Sequence, residues 1–444
     1  MSTTLVTDTA GGRAPTASRR AGFDAWWTLT VVLALFMCAY LDRFVVAMIA
    51  PSVKASLHLA DFQLGIILGP AFAVSYAVFG IPLGWIADHY SRRMVIFFGA
   101  IMFAVATALS GLAGSFTALL IGWIFVGIGE SSLAPAALAL ISEKFPKERL
   151  TTAVSIFSMG PKFGSAAAFS LGAVAIAAAT ALTQAQESLQ GIEPWRLVLA
   201  AAAVPSLIVG ALVLTFSEPA RGSTRSAQSM ERTAIKFLFD EWRLMLPMLL
   251  GFSFILICGQ SLISWVPSYI DRQFHLSPAI YGPILSVISM GGAFALVFKG
   301  MIMDWFFARG VKDIHLRFFS WILAGSYPLC VAVFLVNDAT AFFALYSIIG
   351  VVTIASIAYA SAAIQIVTPA KLRAQVFAIC SIPLLIVGGL GPPIVGALTD
   401  YVFHDTTKLG WSLACVICTT VPACWMCLRL SLAGLRRAVE ANET

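Results

Sequence analysis

The chain is a succession of long apolar runs separated by short polar segments. Twelve runs can be marked, at approximately residues 26–50, 62–88, 94–113, 115–141, 151–181, 195–216, 244–270, 278–305, 316–336, 340–366, 374–399 and 410–433. Crossing about 30 Å of hydrocarbon takes roughly 20 apolar residues in helical form. A helix also satisfies its own backbone hydrogen bonds, which lipid cannot do for it. The pattern therefore predicts an all-α membrane protein with twelve transmembrane helices. The longest polar connector runs from Glu218 to Arg243, after the sixth run, and carries Pro, Gly, Ser and charge. That is the chemistry of a linker. The expected organisation is a tail at 1–25, a six-helix unit at 26–217, a linker at 218–243, a second six-helix unit at 244–433 and a tail at 434–444. The first 25 residues have no apolar core, so they read as a disordered tail and not as a secretory signal.

Composition agrees with the pattern. The chain is 59% apolar and 11% charged, with a mean hydropathy of +0.89. A soluble domain carries about 25% charged residues. The net charge of +6 marks topology and not a nucleic-acid partner. With the N-terminus inside, the cytoplasmic segments hold 21 of the 28 lysines and arginines, and the outer loops hold four: Lys54, Arg196, Arg272 and Lys408. The positive-inside rule then places both termini in the cytoplasm, with the cell (inner) membrane as the expected location. The other three basic residues, Arg43, Lys162 and Lys299, fall inside apolar runs.

Metal and cofactor chemistry find no support. The eight cysteines lie almost wholly in apolar runs and imply no disulfide framework. Cys415, Cys418, Cys424 and Cys427 imitate a zinc spacing, but on one continuous helix they point to about 0°, 300°, 180° and 120°. Ligands on opposed faces cannot close one tetrahedron. His58, His89, His275, His315 and His404 lie in loops or at run ends without partners at ligand spacing. No hydrolase triad, phosphate loop or nucleotide motif is present, so neither an enzyme nor ATP coupling is expected.

An internal repeat divides the chain in two. Leu64-Gly65 opens the second run and Gly84-Trp85-Ile86-Ala87-Asp88 closes it; Tyr281-Gly282 opens the eighth and Gly300-Met301-Ile302-Met303-Asp304 closes it. The offsets are 217 and 216 residues. Phe145-Pro146-Lys147 and Thr368-Pro369-Ala370 give a further echo at 223. Two six-helix halves with the same internal order are the sequence form of a duplicated transporter, with its site between the halves near the bilayer midplane.

The stretch Gly84-Trp85-Ile86-Ala87-Asp88-His89-Tyr90-Ser91-Arg92-Arg93 joins the second and third runs. It resembles the signature loop of the major facilitator superfamily, G-x-x-x-D-x-x-x-R-R/K. Gly84 would permit close helix approach, Asp88 would accept hydrogen bonds at a helix terminus, and Arg92 and Arg93 would pair with carboxylates or lipid phosphates. The loop reads as a conformational latch. Within the superfamily the chain is similar to the spinster-like branch. The similarity rests on Tyr40-Leu41-Asp42-Arg43, Ala50-Pro51, Leu64-Gly65, Gly80 to Trp85, Gly127-Ile128-Gly129-Glu130, Pro135 to Leu138, Phe145-Pro146 and Glu218 to Gly222. The organic anion:cation symporters share much of the pattern in the first two runs. Two departures stand out. Trp123 occupies a position, seven before Glu130, where related transporters often carry arginine. Gly160-Pro161-Lys162-Phe163-Gly164 puts a Gly-Pro kink in the fifth run, as in drug/proton antiporters.

The resemblance implies that spans one and four line the central cavity of the first half. Asp42, Arg43 and Glu130 all lie near mid-depth, so they form a candidate cluster. Asp42 and Arg43 point about 100° apart, so Arg43 can reach Glu130 while Asp42 addresses another neighbour. Charges inside hydrocarbon are costly and mark function or pairing. One reading is a proton switch in which Asp42 or Glu130 carries the proton, since desolvation and a nearby arginine push a carboxylate in opposite directions. The other is a fixed salt bridge. Lys162 is a candidate anchor for a phosphate or carboxylate, and Lys299 reads as snorkelling to the interface. In the second half the mid-helix polar and aromatic residues are Gln260, Ser261, Ser264, Trp265, Tyr346, Tyr359 and Gln365. Of these Gln260, Trp265 and Tyr359 are candidate substrate contacts, beside Arg43, Glu130 and Lys162.

A cavity charged on one side and apolar on the other suits an amphipathic substrate. The spinster resemblance implies lysophospholipids or sphingoid phosphates. The expectation is a monomeric, proton-coupled secondary transporter working by alternating access, with no cofactor, metal or nucleic acid. The alternatives are a transporter of small organic anions or drugs and a non-transporting membrane receptor or scaffold.

Overall fold

The computed structural model describes residues 22–218, 228–311, 313–353, 356–369 and 372–443. Regular structure among them is helical. The first half runs through helices Phe23–Leu57, Asp61–His89, Arg92–Ser110, Phe116–Lys144, Arg149–Ala185 and Pro194–Leu212. The second half runs through Trp242–Phe274, Pro278–Ala308, Ile314–Ala332, Ala339–Thr353 with Ser356–Val367, Gln375–Phe403 and Leu409–Glu443. These are the twelve spans of the apolar pattern, with ends shifted by a few residues. Among the described residues, ten are long and apolar enough by themselves to cross a membrane. In the connector, Gln228–Asp240 forms a further helix whose Ala234 is buried against the second half.

Several spans break where the sequence gives a reason. Pro135 has no N–H for the carbonyl of Ser131, and span four turns there, between Ser131 and Leu133. The hydroxyls of Ser131 and Ser132 donate back to Ile128 O and Gly129 O, each at 2.8 Å. Span five breaks at Met159, immediately before Gly160-Pro161. Glu130 and Lys162 thus sit beside helix breaks. The repeat also extends further than the sequence suggested. His58 and His275, 217 residues apart, end spans one and seven in the left-handed region at φ 52° each. Histidine is among the residues that enter this region more readily than most.

Each half has its own apolar core, and Met48 and Phe169 of the first half pack into the core of the second. An even number of crossings returns the chain to its starting end, here the terminal end; the other is the distal end. The two halves touch through spans two and eleven, five and eight, and one and seven. The repeat glycines explain how closely. A Cβ on Gly65 would stand 2.6 Å from Pro392 O, and one on Gly282 would stand 2.5 Å from Phe169 O. Glycine at both positions lets the backbones meet. Hydrogen bonds from Phe62 N to Asp400 (2.7 Å) and from Ser286 to Ala166 O (2.9 Å) lie in the same distal region. Nearer the terminal end, Gly84 and Gly300 face nothing within 4 Å. The halves are closed together on the distal side.

Candidate functional site

Span one distributes its two charges to different places. Arg43 donates from Nη2 to Glu130 Oε2 at 2.6 Å, joining spans one and four. Its guanidinium lies 3.7 Å from the ring centroid of Phe72 and 4.7 Å from that of Tyr40. Stacked rings and a single carboxylate fix its plane. Glu130 is buried, and its Oε1 has no hydrogen-bond partner among the described residues. Asp42 turns away from this pair. Its Oδ2 accepts from Thr107 of span three at 3.4 Å and from Ser206 of span six at 3.5 Å. Its Oδ1 has no hydrogen-bond partner among the described residues, and the side chain is fully buried. Among the described residues Asp42 therefore has hydroxyls and no cation for partners, whereas Glu130 has a guanidinium. Trp123, on the same span as Glu130, is buried, and its indole N–H also lacks a partner among the described residues.

A separate cavity of about 160 Å³ lies between the halves. Lys162 and Ser165 of span five line it, with Phe44, Phe169, Leu256, Gln260, Ser289 and Tyr346. Lys162 is the one charged side chain in this lining, and among the described residues it has no acidic partner. Gln260 stands on the wall contributed by span seven. Ser165 and Ser289, which sequence reasoning passed over, meet across the halves at 2.8 Å. Nothing in their local sequence signals this, because the partner is 124 residues away.

Two expectations need correction. Trp265 is fully buried inside the second half and donates from Nε1 to Pro392 O at 2.9 Å. It packs span seven against span eleven and does not line the cavity. Gly84 makes no close helix approach in this conformation. Lys299 is buried. Tyr359 lies in Ser356–Val367, with its side chain outside the described ones.

The arginines of the loop between spans two and three contact the ends of spans four and six. Arg92 pairs with Glu143 at the end of span four (2.6 Å), and its backbone N–H donates to Glu218 at 2.7 Å. Ser91 also donates to Glu218. Arg93 donates to Phe216 O at 3.0 Å. A carboxylate at the N-terminus of span three satisfies its free N–H groups and complements its dipole. Asp88 is exposed beside these contacts.

A distal cluster was invisible in the apolar pattern. Asp61, fully buried at the start of span two, accepts from Arg272 of span seven through both guanidinium nitrogens, at 2.8 and 2.7 Å. It also pairs with Lys54 at the end of span one. Among the described residues no group of three or more His, Cys, Asp or Glu could hold a metal.

Two pseudo-equivalent six-helix halves, closed at one end around a cavity between them, define the architecture of a secondary transporter. A sequence profile of the Major Facilitator Superfamily matches residues 32–313. The chain belongs to that superfamily. It is 25% identical to an MFS-type efflux pump of Mycolicibacterium smegmatis, over 95% of this chain and 96% of the pump. It is 24% identical to a probable L-galactonate transporter of Escherichia coli, over 89% and 86% respectively. It is 24% identical to protein spinster of Drosophila melanogaster, over 60% of this chain but only 42% of spinster. Its fold resembles that of a bacterial homologue of the human lysosomal transporter spinster, crystallised inward-facing and unoccupied. The TM-score is 0.77 and the identity 20%, over 95% of this chain and 98% of that one.

Proposed function

We propose that the chain is a proton-coupled transporter that moves an amphipathic substrate with an anionic head by alternating access. The observation that carries the proposal is Lys162, a cation without an acidic partner among the described residues, in a cavity otherwise walled by apolar and neutral side chains. A desolvated cation normally has a partner. A substrate phosphate or carboxylate fills that role, and the apolar wall of Phe44, Phe169 and Leu256 takes the attached carbon chain. The likeness to spinster supports a lysolipid or sphingoid class. A second reading, a small organic anion, is favoured by the modest cavity volume and by the likeness to the L-galactonate transporter.

Proton coupling falls to Asp42 and Glu130. Glu130 is tied to Arg43 in this conformation; protonating it releases the guanidinium, and Asp42, next to Arg43 on span one, is a second buried carboxyl. The charge bias of the connectors puts the terminal end, and hence both termini, in the cytoplasm. The distally closed state is then the one open to the cytoplasm. In that state Arg92 and Arg93 tie spans three, four and six together, and the other latch residues, Gly84 and Asp88, act when the terminal end closes. The protein acts as a monomer in the cell membrane, with each half moving as a unit.

Two measurements test this. Lys162→Ala should weaken substrate binding at least tenfold, read by ligand-dependent thermal shift over a panel of lysophospholipids, sphingoid lipids and organic acids; unchanged affinity removes the anchor. In proteoliposomes, Glu130→Gln and Asp42→Asn should blunt the response of transport to an imposed pH gradient. Wild-type dependence in both variants would end the coupling proposal.

A further inference from the structure

Spans five and eight meet inside the cavity through two serines, and proton counting fixes the direction of their bond. Ser165 Oγ lies 2.9 Å from Lys162 O and donates to it. A hydroxyl has one hydrogen. With that hydrogen committed, Ser289 must be the donor in the 2.8 Å contact between Ser289 Oγ and Ser165 Oγ. Ser289 thus spends its hydrogen on a neutral hydroxyl three residues from Lys162, on the same helix face. All three side chains line the same cavity.

The neighbouring contact sets a contrast. Ser286, almost one turn earlier on span eight, is buried and donates to the backbone carbonyl of Ala166. That bond has a fixed acceptor, and together with the close approach at Gly282 it keeps the two spans in register. Ser289 has a rotatable acceptor and stands half-buried at the cavity. An ionised acceptor makes a hydrogen bond roughly twice as strong as a neutral one.

The geometry points to Ser289 as a ligand for the anionic head of the substrate: an oxyanion held by Lys162 takes the Ser289 hydrogen in place of Ser165. The inference rests on the anion-binding reading of Lys162 and adds a contact from the second half. The substrate head is thereby gripped by both halves, so that binding and the relative position of spans five and eight depend on each other. The chemistry is that of a carboxylate or phosphate oxygen, whether on a short organic acid or on a lysolipid. No bond is made or broken beyond the exchange of one hydrogen-bond acceptor.

The test uses the purified full-length chain with two probes, sodium L-galactonate and 1-oleoyl lysophosphatidic acid, and reads dissociation constants from the dependence of thermal stability on probe concentration. Ser289→Ala should weaken the bound probe about tenfold. Ser289→Thr, which keeps the hydroxyl, should stay within about threefold of wild type and guards against a folding defect. Ser165→Ala should bind as tightly as wild type or tighter, because it removes the competing acceptor. Binding of galactonate alone assigns the site to a short acid; binding of the lysolipid alone assigns it to a lipid head. If Ser289→Ala lies within twofold of wild type while Lys162→Ala loses binding, the role of Ser289 is overturned and the Lys162 anchor stands. If neither probe stabilises the wild type, or if Lys162→Ala binds normally, the anion reading falls and the Ser289 inference with it.

Discussion

Neighbouring residues on a helix face different surroundings, and Asp42 and Arg43 draw different consequences from the same depth. Arg43 is held by Glu130 and two aromatic rings, so removing the Glu130 charge strands a guanidinium in the bundle. Breaking one partner of a buried pair costs on the order of 3 kcal/mol. Asp42 loses far less on neutralisation. Asparagine keeps an oxygen for Thr107 and Ser206, whose contacts at 3.4 and 3.5 Å are long already. Glu130→Gln should therefore lower the apparent melting temperature in detergent by several degrees, and Asp42→Asn should change it by no more than a third as much. Equal losses would mean that Asp42 has a charged partner after all. The sequence supplied both residues and even their divergent directions, because helical periodicity is legible. It could not supply Thr107 or Ser206, which are ordinary hydroxyls in apolar runs until the fold brings spans three and six against span one. Trp265 shows the same limit from the other side. Its mid-span aromatic character suggested a ligand contact, but only packing reveals that it faces Pro392. Trp265→Phe should cost about 1 kcal/mol for the lost hydrogen bond and leave substrate affinity unchanged, as read by thermal unfolding beside the binding assay.

At the scale of the element, the spans themselves were readable because twenty apolar residues in a row have few other uses. What one span does to another was partly readable through the repeat. Gly65 and Gly282 occupy matching places in the two halves, and the structure gives them matching tasks: one admits span eleven, the other span five. Gly84 belongs to a familiar signature but has open space where a side chain would go. A methyl group at the three positions should separate them. Gly282→Ala forces a Cβ to 2.5 Å from a backbone oxygen, and Gly65→Ala to 2.6 Å, so both should push the distal halves apart and disfavour the present conformation. Overpacking of this kind costs typically 1–3 kcal/mol. Gly84→Ala should leave the stability of this conformation unchanged and show its cost, if any, only in transport, when the terminal end closes. Proteolytic sensitivity of purified variants, set against transport rate, distinguishes the two patterns.

For the whole molecule, alternating access requires that the distal contacts open in every cycle. The principal electrostatic tie across them is Asp61 with Arg272, a bidentate pair between spans two and seven, seconded by the Phe62 N–H bond to Asp400. The sequence could not disclose this tie: Asp61 fell just outside an apolar run, Arg272 read as a loop charge, and the two stand 211 residues apart. Lys54 also contacts Asp61, but it belongs to the same half. Of the two ion pairs of Asp61, only that with Arg272 changes when the halves part, so only that one biases the equilibrium between states. If it favours the closed distal end by about 2 kcal/mol, its loss shifts the ratio of states about thirtyfold. Asp61→Asn and Arg272→Gln should each lengthen the distance between spin labels placed at positions 58 and 275, measured by double electron–electron resonance. The double substitution should do no more than either alone, because both remove one shared interaction. Lys54→Gln should lower thermal stability while leaving that distance distribution in place. A Lys54→Gln distribution as open as that of Asp61→Asn would show that the cluster acts through the charge of Asp61 within its own half, and not as a bridge between halves.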